Sequence, residues 1–370
     1  MVSPNADRPH LDALAPIVSD IVSPNAEEID RNGAYPRAAL DALGQAGLLA
    51  PQTHRVAAEV IEELARNCAS TAMVVLMHYA GTAVIEANGP KDVIEQIAAG
   101  SYVTTLAFSE KGSRSQFWAP LSSARANGDG TVTLDADKSW VTSAGQADGY
   151  VWSSRPMGAE GASTIWLLPK ETLGLSVGAP FDGLGLRGNF SSPISAEGAR
   201  VPADAMLGPD GGGFDLMIGT VLPLFQVMSA AFCIGTMDAA TTKAGHHAAT
   251  TRLEHLDQTL ADNPVVRSNV ARMRIKTDSA RALLTDTLNA LETGREDAIL
   301  RVLEVKAAAG ESATEVTDLA MRVCGGSAFR HDFGVDRHFR DSRAATVMAP
   351  TTDALYDFIG RVACGMELFG

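Results

Sequence analysis

The sequence has few cysteines, few aromatic side chains and a shortage of positive charge. Its four cysteines are scattered, and none stands at the spacing of a metal site or a redox pair. We therefore expect reduced thiols, no metal site and a cytoplasmic location. Lys and Arg number 30 against 44 Asp and Glu, which gives a net charge of −14. That charge would repel a phosphate backbone and excludes nucleic acid as a general partner.

Long uninterrupted apolar runs are missing as well. The most apolar stretch, 216–237, is broken by Thr, Pro, Gln and Ser, so we expect no membrane span. The N-terminal residues lack the basic start and apolar segment of a secretory signal. At 370 residues, with 46% hydrophobic and 20% charged residues, the chain is expected to be globular and to contain two or three structural units.

Hydrophobic periodicity divides the chain into three parts. Residues 1–100 show helical spacing of apolar side chains, whereas 101–208 hold β-rich runs bounded by Gly and Pro, with a hairpin signal at 127–130. Helical spacing returns in 209–370. Separate helical and β segments predict an α+β protein rather than a repeating βαβ pattern. The prediction is an N-terminal helical domain, a central, mostly antiparallel β domain and a C-terminal four-helix bundle.

The stretch 322–359 carries the most informative motif. Gly325 and Gly326 are suited to end a helix, a strongly charged segment follows, and Thr351 is placed to cap the last helix. The stretch resembles the C-terminal signature of the acyl-CoA dehydrogenase superfamily, and the helix–β–helix order fits that fold. In this family a short loop before the last helix brings a catalytic Glu to the flavin. The residue that aligns with this Glu is Ala349.

Two further segments resemble the flavin-facing strands of the same family. In 106–115 the resemblance implies flavin contacts from Phe108 and Ser109 and an anion-binding turn near Ser115. In 138–144 it implies that Trp140 lies beside the flavin and that Thr142 points at its N5 atom. The alternative for 106–115 is an ordinary Ser- and Gly-rich hairpin. For 138–144 it is a Trp that fills the core and a Thr that favours a strand.

The resemblance also implies a flavin site that is shared between subunits. Arg252, Gly325 and Gly326 fall near positions that reach the FAD of a neighbouring chain, and Thr351 matches a flavin-contacting Thr. These positions imply non-covalent FAD and a homo-oligomer, either a tetramer or a dimer. Arg322 replaces the family's usual Gln. Arg252 is alternatively a solvated helix residue.

The catalytic base is missing from both positions that the family uses. The first is Ala349, and the second, on the first bundle helix, is Phe225. Dehydrogenation of an acyl thioester needs a base at the α-carbon, so we considered other ionisable side chains. The candidates are His78, Asp353 and His338, and also His331 and Glu110. Each has a structural alternative: His78 as a hydrogen-bonded core residue, Asp353 as a charge at a helix N-terminus, His331 and His338 as partners of nearby Asp residues, and Glu110 as part of the flavin turn.

Three functions remain open from the sequence. The first is an FAD-dependent oxidoreductase that dehydrogenates an acyl-CoA or carrier-bound acyl group and passes electrons to an acceptor flavoprotein. The second is a flavin-dependent monooxygenase on the same scaffold, which uses oxygen and flavin reduced by a separate reductase. The third is a non-catalytic protein that binds an acyl thioester or a flavin.

Overall fold

The N-terminal part of the chain is helical. In the computed structural model, which describes residues 8–113 and 116–368, a π-helical turn at Val18–Val22 joins the first two helices. Helix α5 is apolar on nearly every side and is buried along most of its length. The helices are α1 (Pro9–Ile17), α2 (Ser23–Asn32), α3 (Arg37–Gln45), α4 (His54–Asn67), α5 (Ala69–Asn88) and α6 (Lys91–Ala98).

The middle part contains two packed sheets with the strand orders β1-β4-β5 and β2-β3-β7-β6. Strands β1 and β4 are parallel, and the other neighbours in both sheets are antiparallel, which confirms the prediction of a mostly antiparallel β domain. Trp152 and Trp166 fill the core of this part. The strands are β1 (Thr104–Ala107), β2 (Ser123–Ala126), β3 (Thr131–Val141), β4 (Gly149–Ser154), β5 (Thr164–Pro169), β6 (Leu175–Val177) and β7 (Ser192–Pro202).

The C-terminal part is helical again, and its longest helices form the predicted bundle of α8, α9, α10 and α13. Helix α8 is buried at the centre and packs on α4, α9 and α10, while α13 packs on α10. A two-stranded hairpin, β8 (Arg252–Leu253) and β9 (Gln258–Thr259), joins α8 to α9. The helices are α7 (Gly213–Leu216), α8 (Leu222–Thr250), α9 (Pro264–Thr293), α10 (Ala298–Cys324), α11 (Val335–Ser342), α12 (Ala344–Val347) and α13 (Thr352–Ala363). The predicted α+β fold class is thus confirmed.

The helical segment that contains the apolar stretch 216–237 extends beyond it at both ends. Gly213–Thr250 forms one continuous helical stretch of 38 residues, which by length and composition alone would suffice to cross a membrane. Pro223 lies inside this stretch, two residues after the π-helical turn Met217–Val221, in the first turn of the regular α-helix that follows. In this fold 83% of its most apolar window is buried inside the protein, as is typical of a central core helix.

Candidate functional site

A cavity of about 810 Å³ opens where the β domain meets the helices on either side of it. Its size and its mainly apolar walls are those of a small-molecule or cofactor site. One wall comes from the segment after β1 and from β3, and the opposite wall comes from α8, α11, α12 and the loop that precedes α13. The predicted residues Phe108, Ser109, Trp140, Thr142 and Ala349 all line it.

The β-domain wall presents an aromatic ring and two hydroxyl groups. Trp140 is 70% exposed and has a φ of 56°, a left-handed conformation that is rare for a bulky residue. The cause is a register shift between β3 and β7 that begins after Lys138, because a bulge of this kind re-aims a side chain. Thr142 is buried, and its Oγ1 lies 3.1 Å from Oγ of Ser191. Trp140 is therefore a cavity residue and not a core residue.

A buried ion pair holds this wall together. The Nζ atom of Lys138 donates to Oε1 of Glu110 at 2.5 Å, and neither side chain is more than 3% exposed. The amine also donates to the backbone carbonyl of Ser153 at 2.7 Å. On the other side, Glu110 accepts hydrogen bonds from the backbone N–H groups of Leu121 and Ser122 and from the Ser122 hydroxyl. The pair thus joins the turn after β1 to β3 and β4.

Glu110 is consequently unsuited to serve as a base, although it touches the cavity. Burial by itself would raise the pKa of this carboxyl, but Lys138 and the hydrogen bonds from Ser122 and Leu121 outweigh it and hold the pKa below its usual value. A carboxylate with a lowered pKa and occupied oxygens is a poor proton acceptor. Among the lining residues that the structure describes, Glu110 is the one carboxylate, and histidine is absent.

The wall formed by the C-terminal helices contains both positions at which the family places its catalytic base. Ala349 lies between Met348 and Pro350, and all three line the cavity. Phe225, the second position where the family places a base, lines it as well. Both positions therefore face the same space, and both present hydrocarbon.

His78, the first alternative base, is not among the residues that line the cavity. Its Nε2 atom donates to the carbonyl of Leu49 at 2.9 Å, and its Nδ1 atom accepts from the N–H of Thr104 at 3.0 Å. Burial lowers its pKa to about 4, against the opposing effect of these two bonds. His78 is therefore a neutral core residue that ties α5 to β1.

The other ionisable candidates also lie outside the cavity wall. Asp353 is exposed in the first turn of α13. Nδ1 of His331 lies 2.8 Å from the Asp336 carboxylate, as the structural alternative predicted. The same expectation is wrong for His338, which is buried on α11 with no hydrogen-bond partner for either ring nitrogen among the described residues. Burial, followed by Arg337 and Lys243, lowers the pKa of His338 well below its usual value.

The predicted second half of the flavin site is not part of this cavity. Arg252 is paired with Asp257 within the β8–β9 hairpin. Gly325 follows the end of α10 with a φ of 54°, and a Cβ on either Gly325 or Gly326 would meet nothing within 4 Å. Thr351 caps α13 by accepting a hydrogen bond from the N–H of Ala354. Ser115 lies outside the described residues.

No role in the site was predicted for the loop that lies between the two walls of the cavity. The stretch 183–186 lines the cavity, and its shape is held from α11. Asp341 accepts a hydrogen bond from the N–H of Leu186 at 2.6 Å, while Arg340 donates to the carbonyl of Leu184 and to Asp30. Burial raises the pKa of Asp341 to about 7. The adjacent Arg and Asp were visible in the sequence, but their partner loop lies far away along the chain.

Removing Lys138 is expected to destabilise the fold and to disorder the β-domain wall. Lys138→Met would leave the Glu110 carboxylate buried without a counter-charge, which costs about 3–5 kcal/mol. The free energy of unfolding in urea measures this loss. Adding Glu110→Gln should recover much of it, because no buried charge is then left unpaired.

A matched surface pair provides the control for this prediction. Arg200 and Asp129 are bonded at 2.6 Å, but their side chains are 57% and 55% exposed. Arg200→Met is expected to change the free energy of unfolding little, because water screens an exposed pair. If Lys138→Met were as mild as Arg200→Met, the buried pair would not organise this wall.

Comparison with known proteins supports the resemblance to the acyl-CoA dehydrogenases along nearly the whole chain. Family models of the acyl-CoA dehydrogenase N-terminal, middle and C-terminal domains match residues 8–101, 105–199 and 211–364. The human mitochondrial short-chain specific acyl-CoA dehydrogenase is 28% identical over 350 residues, which cover 89% of this chain and 83% of that protein. The cyclohex-1-ene-1-carbonyl-CoA dehydrogenase of Geobacter metallireducens is 27% identical, with coverage of 95% and 96%.

A solved structure agrees with this result at the level of the fold. The butyryl-CoA dehydrogenase of Megasphaera elsdenii superposes with a TM-score of 0.91 at 20% identity, covering 98% of this chain and all of that one. The three family models follow one another in the order of the helical, β and helical parts described above. This protein therefore belongs to the acyl-CoA dehydrogenase family of flavoprotein oxidoreductases.

Proposed function

We propose that this protein is an FAD-dependent oxidoreductase that acts on an acyl-CoA or carrier-bound acyl group by α,β-dehydrogenation. The observation that carries the proposal is the cavity of about 810 Å³ in which Ser109, Trp140 and Thr142 face the loop at Ala349. These are the positions at which the family resemblance predicted flavin and substrate contacts. The relatives named above, which are called dehydrogenases of acyl-CoA compounds, support the substrate class.

The residues of the cavity fit a flavin. A flat aromatic ring system needs an apolar slot, an aromatic side chain at its edge or face, and a few hydrogen-bond donors for its heteroatoms. Trp140 supplies the aromatic surface, and Ser109 and Thr142 supply hydroxyl groups. When bound, the flavin supplies a hydride acceptor. The role of this chain is to orient the acyl group and to exclude water from it.

Proton removal is the step for which this cavity is poorly equipped. Transfer of a hydride from the β-carbon requires a base at the α-carbon, and a carboxylate in a dry pocket ordinarily fills that role. Ala349 and Phe225 offer only hydrocarbon there, and Glu110 is committed to Lys138. Simple straight-chain acyl groups should therefore be poor substrates, whereas an acyl group with an unusually acidic α-proton suits the site better.

The absence of an available carboxylate or histidine among the described lining residues also favours a second candidate function. A flavin-dependent monooxygenase does not need a base at this position, because its substrate meets oxygen and a flavin reduced beforehand by a separate reductase. Oxidation of NADH that requires both the reductase and oxygen would support this alternative. Anaerobic reduction of bound FAD by an acyl thioester would support dehydrogenation.

We predict slow reduction of the bound flavin by butyryl-CoA and octanoyl-CoA. Loss of a positioned base commonly lowers the rate by about 10²–10⁴-fold. The measurement is anaerobic mixing of the FAD-loaded protein with each thioester while the visible absorbance of the flavin is followed. Rapid reduction of the wild-type flavin would contradict the prediction, since it would require an effective base at this site.

Substitutions at Ala349 provide the controls for that experiment. Ala349→Glu combined with Pro350→Gly supplies a carboxylate on a more flexible loop and should accelerate flavin reduction. Ala349→Gln with the same Pro350→Gly change has a side chain of similar size and no basic group, so it should remain slow. Equal rates in the two double variants would show that the missing carboxylate is not the limiting feature.

We also propose that FAD is shared between subunits of a homo-oligomer, a tetramer or a dimer. Arg252, Gly325 and Gly326 do not line the cavity, and the space beside both glycines is open. These positions suit contacts with the adenosine end of a flavin that is held mainly by a neighbouring chain.

This arrangement predicts that dilution of the protein weakens flavin binding. Light scattering should detect a dimer or tetramer, and the FAD affinity should fall in the concentration range where that assembly dissociates. Arg252→Ala should lower the affinity further, because it removes a cation from the shared site. A monomer whose FAD affinity is independent of protein concentration would contradict the proposal.

A further inference from the structure

Lys306 is a buried cation whose partners are backbone atoms of the cavity wall. It lies on α10 with 0% of its surface exposed. Its Nζ atom donates to the carbonyl of Met348 at 2.9 Å and to the carbonyl of Pro350 at 2.6 Å. These carbonyls stand on either side of Ala349 in sequence, and all three residues line the cavity. The amine of Lys306 thus holds the backbone of the cavity wall on both sides of Ala349.

Within the described residues, the cost of burying this amine is not offset by an acidic side chain. None of the ion pairs among the described residues includes Lys306, and the titratable group that acts on it is the thiol of Cys233 on α8. Burial lowers the pKa of Lys306 to about 8, against the opposing effect of Cys233. Such a group is tolerated in a core only when hydrogen bonds compensate for lost hydration, and here both bonds recorded for its Nζ go to the loop.

We propose that Lys306 is a positioning residue of the cavity: its amine fixes the backbone on both sides of Ala349 and so sets the wall against which flavin and substrate pack. Without the amine, two buried carbonyls would lose their donor, and the loop would have to move to satisfy them. The position of the loop follows from the contacts of Lys306, whereas the consequence for flavin binding rests on the proposed function.

Hydrogen exchange measured by mass spectrometry on flavin-free protein tests this role. In Lys306→Met, which has no donor, amide exchange in 344–354 should be at least about tenfold faster than in the wild type. Exchange in strand β3 should not change. Lys306→Gln keeps two N–H donors on a shorter side chain and should give an intermediate rate. Should the Met variant fail to fold, Lys306→Gln against wild type provides the same comparison.

Lys243→Met is the matched control. Lys243 lies on α8, and its Nζ atom approaches the carbonyl of Phe333 at 3.5 Å, away from the cavity wall. This variant should leave exchange in 344–354 unchanged. If exchange became faster throughout the protein in Lys306→Met, or if 344–354 were unaffected in both Lys306 variants, the positioning role would be overturned.

A second measurement separates this proposal from the proposed function. The FAD affinity of Lys306→Met should be about tenfold weaker than that of the wild type, with Lys306→Gln between them. If neither the wild type nor the variants bind FAD and exchange in 344–354 still responds to Lys306, the flavin assignment fails and the positioning role stands. If FAD binds with equal affinity to wild type and both variants, Lys306 does not set the flavin-facing wall.

Discussion

The candidate site depends on the buried ion pair between Glu110 and Lys138. A buried charge needs a partner at short distance, and this pair satisfies each charge with the other and with neighbouring hydrogen bonds. Because the two buried charges must stay in contact, the pair fixes the turn after β1 against β3. Ser109 lies next to Glu110, Trp140 lies on the bulged end of β3 just after Lys138, and Thr142 directly follows that strand. The geometry of the β-domain wall is therefore a consequence of an electrostatic requirement.

The same pairing shapes the chemistry of the cavity. It occupies the one carboxylate among the described lining residues, whose other polar side chains are hydroxyl groups, two arginines and the amide of Asn189. Lys306 fixes the opposite wall in a comparable way, through backbone carbonyls on either side of Ala349. Both walls thus use a buried lysine to hold the backbone, and the lining residues that the structure describes include no carboxylate besides Glu110 and no histidine. The result is an acyl-CoA dehydrogenase fold in which the described lining of the cavity provides apolar contacts and hydrogen-bond donors.

Hydrophobic periodicity predicted the α+β fold, and motif resemblance predicted residues of both cavity walls, because these features are local in sequence. What could not be predicted depends on contacts between distant segments. Lys306 and its loop partner Met348 are 42 residues apart, and His78 meets the N–H of Thr104 across the interface of α5 and β1. The outward direction of Trp140 follows from a register shift that only the pairing of β3 with β7 reveals. Pairing, burial and register decide such roles, and composition does not encode them.

The most direct test of the central claim is an equilibrium titration of flavin-free protein with FAD, followed by quenching of the flavin fluorescence. We expect saturable binding at one FAD per chain. We also expect about tenfold weaker binding in Trp140→Ala, since that substitution removes the aromatic surface that faces the cavity. Absence of saturable binding, or an unchanged affinity in Trp140→Ala, would contradict the assignment of this cavity as a flavin site.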